Sequence, residues 1–193
     1  YDEMLSHVQE DDDTHPSPAA DGFEYWSRTI KGKSFRQYLR RAQAGVDAEE
    51  MTILDVNAVP SMPFFAENDK WDAAQCDVHA VEVSPAGKTL AYSVDGSGYE
   101  TYVIRLKSLD TGVERDEQIE GTAGQVAWLS ESVLAYVRLD AQHRPFQVWT
   151  HTVGTAQAED VMIYEDLDNM FNVNCWTTRD GSLLMLESES KET

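Results

Sequence analysis

No stretch of the sequence approaches the ~18 to 20 consecutive apolar residues that carry a helix across a bilayer, so a helical membrane span is excluded. Cysteine is scarce. Cys76 and Cys175 stand about one hundred residues apart, too few and too distant to form a disulfide framework, and both read as reduced, buried thiols. Asn-x-Ser/Thr is missing, which together with the thiols is consistent with a cytoplasmic protein. Positive charge is short as well: 15 Lys and Arg face 35 Asp and Glu, a net charge of −20. Such a surface repels nucleic acid and anionic membranes, so neither is expected as a partner, while cationic ligands are attracted. The start, Tyr1-Asp2-Glu3-Met4, shows no charged-then-apolar leader and no initiator Met, and the expectation is a fragment or a processed chain.

The familiar catalytic and cofactor motifs are missing too. There is no Walker loop, no G-x-G-x-x-G and no G-x-S-x-G nucleophile elbow; Gly96-Ser97-Gly98 reads as a loop tip between Asp95 and Tyr99. Ser188-Glu189-Ser190-Lys191 fits S-x-x-K by chance, with no partner motif. Of His7, His15, His79, His143 and His151, only His79 has a ligand-spaced neighbour, Cys76, and strand alternation is expected to point the two apart. Asp11-Asp12-Asp13 lacks the Gly and distal Glu of an EF-hand loop and reads as solvated. No catalytic, cofactor-binding or metal residue is therefore assigned in this chain, and no cofactor is expected.

What the chain does have is a repeat. Leu90-Ala91-Tyr92 returns as Leu134-Ala135-Tyr136 and more loosely as Leu184-Met185-Leu186, a period of roughly 45 to 50 residues. Tyr102-Val103-Ile104 and Gln147-Val148-Trp149 keep the register, as do Ile119 and Ile163. Quartets of short strands follow: Phe23–Arg28, Phe35–Arg41 and Met51–Asp55, one strand short; then Val78–Val83, Thr89–Val94, Thr101–Leu106 and Glu117–Glu120; then Gln125–Leu129, Val133–Leu139, Phe146–Val153 and Asp160–Tyr164. A fourth set opens with Asn172–Thr177 and Leu183–Glu187. Gly87 and Gly181 sit three residues ahead of the repeated Leu, as tight hairpins require, whereas Glu131 takes that place in the third set and predicts a different turn. A second-order repeat of this length built from short strands is a β-propeller pattern, not a sandwich.

Residues 1–22 read differently. Met4, Leu5 and Val8 form a short helical stripe before an acidic stop and an extended, proline-bearing linker. Between 56 and 72 lies a connector with Pro60, Pro63 and a helical turn, and residues 165–169 form an acidic inter-blade loop. Against the global charge, Arg28, Lys31, Lys33, Arg36, Arg40 and Arg41 crowd one hairpin with no acid between them. Its expected partners are acids of adjacent blades or of a further domain.

Tyr25-Trp26-Ser27-Arg28-Thr29, Gln37-Tyr38-Leu39-Arg40-Arg41, Leu54-Asp55-Val56-Asn57, Gly124-Gln125-Val126-Ala127-Trp128 and, most specifically, Arg144-Pro145-Phe146-Gln147-Val148-Trp149-Thr150-His151-Thr152-Val153-Gly154-Thr155 carry a further message. On these runs the chain resembles oligopeptidase B, of the prolyl oligopeptidase group of serine peptidases. The resemblance implies an all-β fold: part of a seven-bladed propeller, about three blades and the start of a fourth over 23–193, capping an α/β-hydrolase domain. It implies that residues 1–22 wrap toward that domain and that its Ser-Asp-His triad, absent from this chain, cleaves short peptides after Arg or Lys. The implied partners are the chain's own C-terminal hydrolase domain and short basic peptides. Rivals within reach of the sequence are post-proline specificity in the same family and a non-catalytic propeller scaffold.

Overall fold

The computed structural model describes residues 3, 7, 10–43 and 48–191, which fall into two units, Tyr1–Asn68 and Asp69–Thr193. In the first unit β3 (Phe23–Thr29), β4 (Gln37–Ala42) and β5 (Met51–Asp55) form an antiparallel meander. Their buried positions, Trp26, Leu39, Ile53 and Leu54, gather the apolar side chains of the unit. The linker is not free. Its two short stretches β1 (Asp12–Asp13) and β2 (Ser17–Pro18) both pair with the open edge of β3, opposite Arg28–Thr29 and Glu24–Tyr25. They supply the strand the sheet was expected to lack, and Pro18 is tolerated because it sits on the edge. The stripe of Met4, Leu5 and Val8 lies outside the described residues. Beyond β5 the connector folds as expected: a 3₁₀ turn, Val56–Ser61, capped by the Asp55 carboxylate, then α1 (Pro63–Ala66) with proline at its first position.

Three of the six basic residues, Arg28, Lys31 and Arg41, find acids within their own unit, which for these three corrects the expectation of partners elsewhere. Arg28 grips Asp13 through two bonds of 2.7 Å and reaches Glu50, Arg41 meets Glu24, and Lys31 lies 3.7 Å from Glu10. The Arg40 guanidinium stacks on Phe23, 4.2 Å from the ring centre. The acidic run is correspondingly engaged: Asp11 accepts from the Lys31 amide, and Arg28 holds the Asp13 carboxyl below the usual range.

The second unit carries β6 (Asp77–Val83), β7 (Thr89–Asp95), β8 (Tyr102–Ser108), β9 (Glu114–Trp128), β10 (Val133–Leu139), β11 (Pro145–Thr152) and β12 (Val161–Glu165) in one unbroken antiparallel order. A separate hairpin follows, β13 (Asn172–Thr177) with β14 (Leu184–Glu189). The order is continuous because the strands expected at 117–120 and 125–129 are one strand. The first half of β9 pairs with β8, from Glu114 to Thr122, and the second half with β10, from Thr122 to Trp128. Gly121 and Gly124, both at positive φ, mark the crossing where the strand leaves one quartet and enters the next.

Alternation along β10 explains why the repeated motif is apolar throughout. Leu134 and Tyr136 pack with Ala91, Ile104, Leu106 and Ile119 of the preceding quartet, while Ala135 and Val137 pack with Val148, Val173 and Cys175 toward the β13–β14 hairpin. A strand buried on both faces has no room for the polar alternation of a half-exposed sheet. The turns agree: Gly87 and Gly181 hold φ of 72° and 68°. At the third turn Glu131 instead reaches back to the preceding one, accepting 2.8 Å bonds from the Ser84 hydroxyl and the Ala86 amide.

Candidate functional site

At one end of the second unit three loops converge, 96–101, 140–144 and 166–171, beside the β9 crossing. The first two are built alike. Asp95 closes β7 and accepts from the Ser97 amide and hydroxyl and from the Glu100 amide at 2.6–2.9 Å. Asp140, directly after β10, accepts from the Gln142 and Arg144 amides at 2.8 and 3.0 Å and from the Arg144 guanidinium at 3.0 Å. Burial pushes the Asp140 carboxyl up, but these donors outweigh it and hold it below the usual range. The Asp pair stands at the repeat spacing, so one device shapes both loops. Ser97 is thus a loop-tip residue, as expected.

His143 and Arg144 tie these loops together in opposite directions. His143, at φ 61°, turns its Nδ1 to the Tyr99 carbonyl at 3.1 Å and the Thr101 hydroxyl at 3.2 Å. Because a carbonyl only accepts, Nδ1 carries the hydrogen. Arg144 faces the other way, its guanidinium reaching the main-chain oxygens of Asp166, Asp168 and Phe171 at 2.9–3.4 Å and lying over the Phe146 ring. The acidic loop is therefore held from its carbonyls by Arg144, and the Asp166 amide donates to the Phe146 carbonyl at 2.9 Å.

The other end of the same run, His151, is fully buried. Its Nδ1 lies 2.7 Å from Asp160 and its Nε2 2.8 Å from Glu117, on the preceding quartet. Each contact needs a proton between its heavy atoms, so the three groups hold two protons between them. Tyr136 donates to the second Asp160 oxygen at 2.7 Å and the Gly154 amide to Glu117 at 2.7 Å. Tyr92 repeats the device one period earlier by donating to Glu114, whose carboxyl burial pushes up.

Other side chains weighed from the sequence are placed as follows. Cys76 precedes β6 at the end of a 3₁₀ turn, Ala73–Gln75, and is not in a strand; the reason first given for its separation from His79 does not hold. Cys76 is buried, whereas His79 is exposed and rests against Tyr102, ring centres 5.4 Å apart. Both cysteines are unpaired and buried, and burial pushes their thiols up to about 11 at Cys76 and about 12 at Cys175. Ser188, on β14, donates its hydroxyl to Asp166. Among the described residues no group of three or more His, Cys, Asp or Glu is arranged to hold a metal, and no helix is long and apolar enough to cross a membrane. Sequence reasoning assigned no role to His143, His151 or Glu117; the signals near them were the Arg144–Thr155 run, which contains His151, and the repeat spacing of Asp95 and Asp140.

Quartets of short antiparallel strands stacked face to face, with the last strand of one running on as the first of the next, define a segment of β-propeller. The profile of the prolyl oligopeptidase N-terminal β-propeller domain matches residues 1–193, and the chain belongs to that family. Within it the likeness is to oligopeptidase B. The structure of oligopeptidase B from Leishmania major is 30% identical with a TM-score of 0.83, covering 97% of this chain and 25% of that one. Oligopeptidase B from Trypanosoma brucei, with covalently bound antipain in a closed form, is 32% identical with a TM-score of 0.81 and the same coverage. A dipeptidyl aminopeptidase BI from Pseudoxanthomonas mexicana is 29% identical over 98% of this chain and 27% of its own. The chain thus spans about a quarter of the length of these relatives.

Proposed function

We propose that this chain is the substrate-gating propeller segment of a cytoplasmic serine oligopeptidase that hydrolyses short peptides after Arg or Lys. The observation that carries the reading is the likeness over nearly the whole chain to oligopeptidase B at 30–32% identity, against 19% for a prolyl endopeptidase of the same fold. The triad and the pocket for the basic residue belong to a hydrolase domain beyond the segment, and the segment alone is non-catalytic. Its part is to cap that domain, admit short or flexible peptides and keep bulk water from the reaction. The −20 charge supports a preference for basic peptides, which an acidic surface concentrates. The two unpaired, buried thiols support a reducing compartment.

The test is kcat/KM of the full-length protein on blocked peptides with Arg, Lys or Pro before the cleaved bond. Arg and Lys substrates are expected to be cleaved and the Pro substrate spared, with kcat/KM for a dibasic peptide falling as salt rises. Cleavage after Pro alone, or no hydrolysis, would sink the reading. The dipeptidyl aminopeptidase relative favours a second reading, release of dipeptides from a free N-terminus. Preference for unblocked over blocked peptides separates the two.

A further inference from the structure

Between loops 96–101 and 140–144 opens a cleft of about 340 Å³, within the range of pockets that take small ligands. Its walls include His79, Tyr99, Glu100, Tyr102, Gln125 and His143. Four features bear on what it could hold. The first is a shelf: His79 and Tyr102 lean together over Gly124, whose φ is +94° and where a Cβ would stand 2.9 Å from His79 Cδ2 and 3.0 Å from Tyr102 Cδ2. The aromatic pair therefore sits as low as the backbone permits.

The second is an excess of acceptors. The side-chain oxygen of Gln125 is buried without a hydrogen-bond partner, and an orphan acceptor of this kind asks for a donor. No Lys or Arg is among the lining residues, and the neighbouring Arg144 is committed to the carbonyls of 166–171. The third is the local field. Burial first, then the hydrogen bond to Asp77 and the charges of Asp77, Asp95 and Glu100, all push the Tyr102 phenol up, so negative potential converges on the shelf. The fourth is strain: among the described residues Glu100 and His143, at φ 56° and 61°, are the non-glycine residues in the left-handed region, and both line this cleft.

A group that offers only donors, carries positive charge and lies flat on an aromatic face satisfies all of these conditions. We infer that the cleft is a binding site for an organic cation, an alkylguanidinium or alkylammonium group, held over the His79–Tyr102 shelf between walls that carry Glu100 and Gln125. The site stands whether or not the parent hydrolyses bonds after Arg or Lys.

The test uses the full-length protein with its histidines labelled with ¹³C at Cε1. Titration with butylguanidinium is expected to move the His79 and His143 signals saturably, whereas neutral butylurea leaves them in place. Glu100→Gln and Gln125→Leu are each expected to weaken the titration about tenfold; the Glu100 change lies on an exposed loop and does not threaten folding. A non-cleavable tripeptide with a central D-arginine distinguishes sources: tighter binding than butylguanidinium assigns the site to a peptide side chain, weaker binding to a free small cation. Signals that do not move, that move equally with butylurea, or that move unchanged in both variants would overturn the inference. Binding at a catalytic centre elsewhere leaves these two signals alone, so failure here is separable from failure of the peptidase reading.

Discussion

Replacing His151 with Ala tests whether the buried imidazole joins two quartets or merely fills space. The side chain is 1% exposed, Asp160 0% and Glu117 16%, so removal strands two carboxylates that water reaches poorly. A hydrogen bond to a charged group contributes about 1.5–3 kcal/mol, and a buried acceptor left unpaired forfeits a similar amount. Asp160 keeps Tyr136, while Glu117 keeps the Gly154 amide, an ion pair with Arg115 at 3.9 Å and some access to water. The loss is therefore expected to fall near 3 kcal/mol, short of the sum of two full penalties. That amounts to about two decades in the local opening equilibrium. Hydrogen exchange of the β10 and β11 amides in the full-length protein reads it, with Tyr136→Phe as a milder control near 1 kcal/mol. A loss below about 1 kcal/mol for His151→Ala would refute the reasoning, because the carboxylates would then have found other partners.

Three further outcomes follow from the geometry. Gly124→Ala combines a left-handed backbone with a Cβ driven into His79 and Tyr102, and is expected to cost about 2 kcal/mol or more in thermal or chaotropic unfolding; a neutral result would show that the shelf can rise. Arg144→Lys keeps the charge but loses the fork that spans three carbonyls, so limited proteolysis within 166–171 should accelerate about tenfold with the core strands unaffected. With the folded thiols of Cys76 and Cys175 raised to about 11 and 12, both should resist a thiol-disulfide reagent at pH 8 until the protein unfolds. The sign carries over to stability: the unfolded thiols lose their protons first, so stability falls as pH rises from about 9 toward 12, which unfolding midpoints across that window measure.

The strands were legible because burial wrote itself into them. Leu134-Ala135-Tyr136 is apolar at every position since both faces of β10 are covered, and the Gly-bearing turns announce themselves by the backbone they require. The pairing of β1 and β2 was not legible, because two-residue stretches rich in Asp, Ser and Pro have the composition of a linker and are strands only by virtue of the edge they meet. Continuity of β9 was hidden by its glycines, which read as a break. At the loop end, Asp95 and Asp140 lay in plain view at the repeat spacing, yet their role depends on where loop amides point. His151 was harder still: Glu117 is 34 positions away in sequence, and no local pattern couples them. Glu131 breaks the turn rule in the sequence, but its reason, two bonds to the preceding turn, exists only across the seam.

Strand β9 also has a mechanical consequence. One peptide segment is the closing rung of one sheet and the opening rung of the next, so neither sheet can peel away without breaking the ladder of its neighbour. A pull applied along this segment loads both ladders in shear, across bonds that lie perpendicular to the strand, and must rupture many at once. The sequence period therefore does not mark the unit of rupture. Under force the two quartets should yield as one event, with a single lengthening step spanning both.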